Sequence, residues 1–145
     1  MAIALYDLWL WQPARQVRLH HEHFIRAAAD RKWPRFAGFI DGRYTDRWHH
    51  DKTFIVRESS EILRQFFVLT IESDEMACDL TGDEATITAR LKFDGNGTAL
   101  AQMAQEKINA MRSPFVFKWS RVSWKPWDWK LTGADQAELP GDWSY

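Results

Sequence analysis

The sequence has one cysteine and almost no surplus charge, and both shortages exclude classes of protein. Cys78 has no second cysteine to pair with, so we expect no internal disulfide and a reducing, cytoplasmic location. The formal net charge is -1, whereas proteins that bind nucleic acids need a basic surplus to neutralise phosphates. Nucleic acid is therefore not an expected partner.

Long apolar runs are also missing. No stretch reaches the roughly 20 residues that a membrane-spanning helix needs. The apolar start MAIALYDLWLWQPAR carries Asp7 and lacks the basic segment and the small-residue cleavage site of a secretory signal peptide. The sequence therefore predicts no membrane partner, and its 145 residues suit a single domain over 1–145.

The sequence lacks the motifs that hold common cofactors. The segment DGNG at 94–97 is not a phosphate-binding loop, and HHEHF at 20–24 matches neither His-Glu-x-x-His nor His-x-x-Glu-His. We expect no cofactor and no metal site.

The first half of the chain has helical periodicity. Pro13 suits a first helical position, and apolar or histidine side chains recur every three or four residues after it. Asp41–Gly42 closes a shorter helix, and Asp51 is a candidate cap for a third. The predicted elements are helices at 13–32, 34–40 and 51–66 and an extended piece at 43–48.

In the second half the period changes to two, which is typical of strands. Strands are predicted at 67–80, 85–93, 115–123 and 127–131, with a bulge or bend at ESDE and turns at TGDE and DGNG. For residues 98–112, apolar spacing favours a helix but leaves a strand open. The predicted fold class is α+β, with three N-terminal helices packed on a curved antiparallel sheet.

Nine tryptophans are present, and three of them lie in SWKPWDWKL at 123–131. Alternation puts Trp127, Trp129 and Leu131 on one face, beside a face of Phe115, Phe117 and Trp119. This aromatic surface packs on helices, on a second subunit or on a ligand. The tail from residue 133 is polar and predicted to be loose, with Trp143 folding back.

Three segments resemble the nuclear transport factor 2-like superfamily, the cystatin-like cone fold that includes SnoaL-like proteins and ketosteroid isomerases. They are HFIRAAADRKWPRFAGFI, DGRYTDRWHHD and LTGDEATITARL. The resemblance implies a sheet wrapped on helices, an apolar pocket inside the cone and frequent homodimers. The superfamily contains both enzymes and binding modules, so the fold does not decide the function.

The segment YTDRWHH is the strongest site candidate. Tyr44, Asp46 and Trp48 alternate along it, and His49 follows. A carboxylate walled by aromatic side chains loses hydration and becomes a better base. The resemblance places Asp46 near the general base of ketosteroid isomerases, with Tyr44 or His49 as hydrogen-bond donor. The alternative is a solvated loop, and the isomerases' acid partner has no clear match, because Asp128 alternates away from Trp129.

Three functions stay open: a protein that binds a small apolar molecule, a cofactor-independent lyase or isomerase, and a structural homodimer. For the pocket we predict catalytic Asp46, Tyr44 and His49, and ligand contacts from His20, Phe24, Trp48, Phe117, Trp119 and Trp129.

Overall fold

A computed structural model describes residues 4–5 and 12–139, and within them it confirms the predicted α+β fold. Trp143 lies outside the described residues. The elements are α1 (Pro13–Ala29), α2 (Trp33–Gly38), α3 (Lys52–Leu63), β1 (Phe66–Thr81), β2 (Glu84–Gly97), α4 (Ala99–Asn109), β3 (Phe115–Arg121) and β4 (Trp129–Gln136).

Helix α1 supplies one side of the core. Its buried face includes Val17, His21, Phe24 and Ala28, which recur at helical spacing. The helix ends before Arg31, whose φ of 56° turns the chain into α2. Helix α3 begins at the predicted cap, since the Asp51 carboxylate accepts a hydrogen bond from the Phe54 N–H at 2.9 Å.

The described strands form one antiparallel sheet in the order β1-β2-β3-β4. The bulge predicted in ESDE falls just after that segment: residues 72–75 pair regularly, and the register of β1 shifts between Glu75 and Ala77. A second shift in β1 follows Phe66, and a third lies in β4, where Thr132 is the extra residue between Gly133 and Leu131 opposite Lys118 and Trp119. Each bulge bends its strand and increases the local twist, which curves the sheet over the helices.

The turn predicted at DGNG is wrong. Residues 94–97 continue β2, and Gly95 and Gly97 pair with Leu69 and Phe66. Both glycines are needed because the backbone of β1 lies too close for a side chain, not because the chain turns there. A Cβ would lie 2.0 Å from the Val68 carbonyl oxygen at Gly95 and 2.1 Å from the Gln65 carbonyl oxygen at Gly97.

Residues 98–112 contain a helix, which settles the choice left open by their sequence. Helix α4 covers Ala99–Asn109, and the Thr98 hydroxyl accepts a hydrogen bond from the Ala101 N–H at 3.3 Å. The Asn109 side chain bonds both the N–H and the carbonyl oxygen of Phe93 at 2.8 Å. The helix is thereby fixed to β2.

The aromatic face of β3 and β4 packs on this chain's own helices. Trp119 is 0% exposed, and its ring meets the ring of Phe24 edge-on at 5.7 Å. The Trp119 part of this face is therefore buried inside the chain itself.

Two details of the late hairpin differ from the prediction. Trp127 precedes β4 and is half exposed, because the strand begins only at Trp129. The tail is not loose from residue 133: β4 runs to Gln136, which is buried and donates to the Ser113 carbonyl oxygen at 2.9 Å.

His21 is the histidine of HHEHF that enters the core. Its Nε2 lies 3.0 Å from the Ser73 hydroxyl, and its ring meets Phe117 edge-on at 4.7 Å. Nδ1 has no hydrogen-bond partner among the described residues. Burial lowers the pKa of His21 to about 4, so the imidazole stays neutral in the folded protein at neutral pH.

Replacing Gly97 by alanine should destabilise the fold by about 1–3 kcal/mol, because the added methyl group is overpacked against backbone atoms. Gly38→Ala is the matched control, since a Cβ there meets nothing within 4 Å. Urea unfolding measures both variants. Equal unfolding midpoints would show that the β1–β2 ladder does not need glycine at position 97.

Acid should destabilise the protein through His21. The unfolded imidazole binds its proton near pH 6.5 and the folded one only near pH 4, so the unfolded state binds more protons between these values. Stability present at pH 7 is therefore lost as the pH falls through this window, by up to about 3 kcal/mol. Urea unfolding at pH 7 and pH 4 measures the loss.

His21→Gln should remove this part of the pH dependence, whereas His23→Gln, at an exposed position of the same helix, should leave it intact. An identical pH dependence in both variants would contradict the assignment.

Candidate functional site

A cavity of about 180 Å³ lies between helices α1, α2 and α3 and the inner face of the sheet. Its walls are almost entirely apolar and draw on every strand. They include Phe24, Phe36, Leu63, Phe93, Phe117 and Leu131.

The polar edge of the cavity comes from the segment between α2 and α3. This segment, predicted as an extended piece at 43–48, belongs to no strand: turns at 42–43 and 47–48 flank the irregular backbone of 44–46. The Asp46 side chain is 1% exposed, and it accepts from the Tyr44 hydroxyl at 3.0 Å and from the N–H groups of Trp48 and His50 at 3.0 and 3.1 Å. Aspartate side chains commonly stabilise turns by accepting hydrogen bonds from backbone N–H groups that follow them in sequence.

Strand β4 positions this segment. The Leu131 N–H donates to the Phe39 carbonyl oxygen at 2.7 Å, and the Leu131 carbonyl oxygen accepts from the Asp41 N–H at 2.9 Å. The Thr45 N–H then donates to the Thr132 carbonyl oxygen at 3.2 Å. These bonds place Tyr44 and Asp46 against the cavity.

Tyr44 is a buried, neutral phenol. Burial raises its pKa, and the neighbouring negative charge of Asp46 and the hydrogen bond to it raise it further. The hydroxyl therefore keeps its proton and donates a hydrogen bond to Asp46 rather than ionising.

Asp135 also lines the cavity, but its charge is balanced. The Arg47 Nε lies 2.9 Å from the Asp135 carboxylate. The same guanidinium donates to the carbonyl oxygens of Gln136 and Leu139 at 2.7 and 3.1 Å, and it stacks 4.5 Å over the Trp48 ring. Arg47 thus fastens the polar segment to the end of β4.

Five of the predicted site residues line this cavity. They are Tyr44, Asp46 and Trp48 from the polar segment, Phe24 from α1 and Phe117 from β3. The structure brings them together although they come from three separate parts of the chain.

The other four predicted residues lie elsewhere. His49 is exposed with a left-handed φ of 60°, and His50 approaches Asp46 instead, with 3.8 Å between Nδ1 and Oδ2. His20 bonds the Gln16 carbonyl oxygen through Nδ1 at 2.7 Å. Trp119 and Trp129 belong to the core, with Trp129 Nε1 donating to the Pro126 carbonyl oxygen at 3.0 Å.

Sequence reasoning missed Ser59 and Asp135, which also line the cavity. Ser59 had a readable signal, because it lies four residues from both Ile55 and Leu63 and so shares their helix face. Asp135 had no such sequence signal, because it lies in the C-terminal segment from residue 133 that was predicted to be loose.

Within residues 4–5 and 12–139, no three His, Cys, Asp or Glu side chains cluster closely enough to hold a metal ion. No helix in the same residues is long and apolar enough to cross a bilayer.

Comparison with known proteins identifies the fold. No protein-family model matches the chain, and no curated protein matches it. An NTF2-like protein of unknown function from Pseudomonas putida is similar in structure, with a TM-score of 0.60, 11% identity and coverage of 83% of this chain and 82% of that one.

Two further solved structures are similar. A cystatin-like protein of unknown function from Nostoc punctiforme has a TM-score of 0.55 and 13% identity over 86% of this chain and 92% of that one. Bd1075 from Bdellovibrio bacteriovorus has a TM-score of 0.62 and 5% identity over 83% of this chain, which spans only 38% of that protein. The chain therefore has the nuclear transport factor 2-like fold that its sequence resembles.

Proposed function

We propose that this chain binds a small apolar molecule in the cavity between its helices and its sheet. The supporting observation is an apolar cavity with few polar groups, Tyr44 and Asp46 among them, at one edge. Apolar walls with a few placed polar groups are typical of small-molecule sites.

The size of the cavity limits the ligand. Its volume is about 180 Å³, and a cavity of about 150 Å³ in another protein accepts benzene. Typical drug-sized ligands need roughly 300–1,000 Å³. This volume therefore suits a single ring or a chain of similar size.

A cofactor-independent lyase or isomerase is the second candidate. It is supported by Asp46, which lines the cavity with the Tyr44 hydroxyl 3.0 Å away. However, Asp46 already accepts three hydrogen bonds from its own chain, so its oxygens are engaged in holding the segment around it. Binding without turnover therefore ranks first.

A homodimer, a cytoplasmic location and a single domain over 1–145 stay predictions. Sedimentation velocity at several protein concentrations tests the dimer.

Filling the cavity should weaken ligand binding. Ala134 lines it, so Ala134→Leu should weaken binding of benzyl alcohol by roughly tenfold or more, because the added methyl groups occupy the ligand's volume. Isothermal titration calorimetry measures the affinity. Ala77→Leu, at an exposed position of β1, is the control and should bind as the wild type does. Equal affinities in the two variants would place binding elsewhere.

The second candidate is tested by proton exchange. With cyclopentanone, a single-ring ketone, we expect exchange of the protons next to the carbonyl group in deuterated water to stay at the buffer rate, as followed by NMR. General-base catalysis contributes about 100-fold or more. An acceleration of that size that Asp46→Asn removes would establish the enzyme instead.

A further inference from the structure

Five of the described side chains that line the cavity carry oxygen atoms. They are Tyr44, Asp46, Ser59, Asp135 and Gln136. A ligand that needs a side-chain acceptor in the cavity therefore depends on these five. Their existing hydrogen bonds decide which of them is available.

The two side chains at the polar edge are engaged with the chain itself. The Tyr44 hydroxyl donates to Asp46, and the Asp46 carboxylate also accepts from the N–H groups of Trp48 and His50. The Asp46 side chain is 1% exposed. These bonds hold the segment around Asp46, so a ligand would have to break them to use either side chain.

The two side chains at the end of β4 are engaged as well. The Asp135 carboxylate lies 2.9 Å from the Arg47 Nε. The Gln136 amide donates to the Ser113 carbonyl oxygen at 2.9 Å and accepts from the Glu138 N–H at 3.0 Å. Neither side chain is released without loss of a contact that fixes the end of β4.

Ser59 differs from the other four. It lies four residues from both Ile55 and Leu63, which also line the cavity, so its side chain shares their face of α3. Within the part of the chain that the structure describes, its hydroxyl makes no hydrogen bond. The next residue shows the usual alternative, because the Ser60 hydroxyl donates to the Arg57 carbonyl oxygen at 2.8 Å. A ligand can therefore bond the Ser59 hydroxyl without displacing another contact.

The cavity offers no counterion to a charged ligand. Among the described residues of its lining, none is lysine, arginine or histidine. The two aspartates of the lining already have partners in the chain. An ammonium or carboxylate group in the cavity would be desolvated with a single hydroxyl as its partner, which is costly. A neutral ligand avoids this cost.

We propose that the ligand is a neutral molecule with one hydrogen-bonding oxygen, an alcohol or a carbonyl compound, and that this oxygen bonds the Ser59 hydroxyl. A hydroxyl both donates and accepts, so it pairs with either kind of oxygen. The ring or short chain of the ligand lies among the apolar walls. This assignment rests on the proposed function and names the chemical class of its ligand.

Four probes of nearly equal size test the class at pH 7: benzyl alcohol, ethylbenzene, benzylamine and benzoate. Isothermal titration calorimetry should show the two ions binding roughly tenfold or more weakly than benzyl alcohol, because their charges are buried without a counterion. An ion that binds as tightly as benzyl alcohol would overturn the neutral class. No binding of any probe, ethylbenzene included, would overturn the proposed function as well.

Ser59→Ala links the preference to one hydroxyl. The affinity for benzyl alcohol should fall about fivefold or more, because the ligand's buried hydroxyl loses its partner. The affinity for ethylbenzene, which has a methyl group in place of the hydroxyl, should stay unchanged. Ser60→Ala is the matched control on the same helix and should change neither affinity, since Ser60 bonds Arg57.

The two ligands also separate the role of Ser59 from a general change in the cavity. An equal loss of affinity for benzyl alcohol and ethylbenzene in Ser59→Ala would overturn the hydrogen bond to Ser59. An affinity for benzyl alcohol that survives in Ser59→Ala would do the same and would leave the cavity as the binding site.

Discussion

Backbone hydrogen bonds between residues 39–45 and β4 hold the polar edge of the cavity against its apolar walls. Strand β4 pairs with β3 on one side, and on the other it bonds the backbone of Phe39, Asp41 and Thr45. The segment that carries Tyr44 and Asp46 is therefore held in place by backbone hydrogen bonds to the sheet, although it is not itself a strand. Arg47 adds a second attachment at the far end of β4.

The sequence predicted what depends on local periodicity. The alternation of residues 85–93 is that of a strand with one buried face, and Ala85, Ile87 and Ala89 are buried in β2. The same rule failed for Trp127, because a proline at 126 and a turn precede the strand. Alternating apolar and polar residues indicate the buried face of a strand only where the backbone is paired in a sheet.

The sequence predicts a turn at the glycines of DGNG, whereas in the structure these glycines allow the backbones of β1 and β2 to approach each other closely. Gly95 and Gly97 lie in a strand whose partner's carbonyl oxygens leave no room for a Cβ. Composition alone cannot separate these two uses, since both favour the same residue. His20 and His21 pose a similar problem, because neighbouring helical positions differ by 100° and only packing decides which one enters the core.

Only the part of the candidate site that is contiguous in sequence could be predicted. Tyr44, Asp46 and Trp48 are close in sequence, so their spacing alone groups them. Asp135 joins them through an ion pair to a residue 88 positions earlier, and no local pattern contains that contact.

The bulges in β1 also matter for how the protein behaves in a crowded solution. Among the described strands β1 is an outer one, and at 16 residues it is long enough to recruit a strand from another molecule. Its interruptions after Phe66 and Glu75 break the flat edge that such recruitment requires, and exposed carboxylates at Glu72, Asp74 and Asp79 repel a second copy. The irregularities that curve the sheet over its cavity thus also interrupt its outer edge.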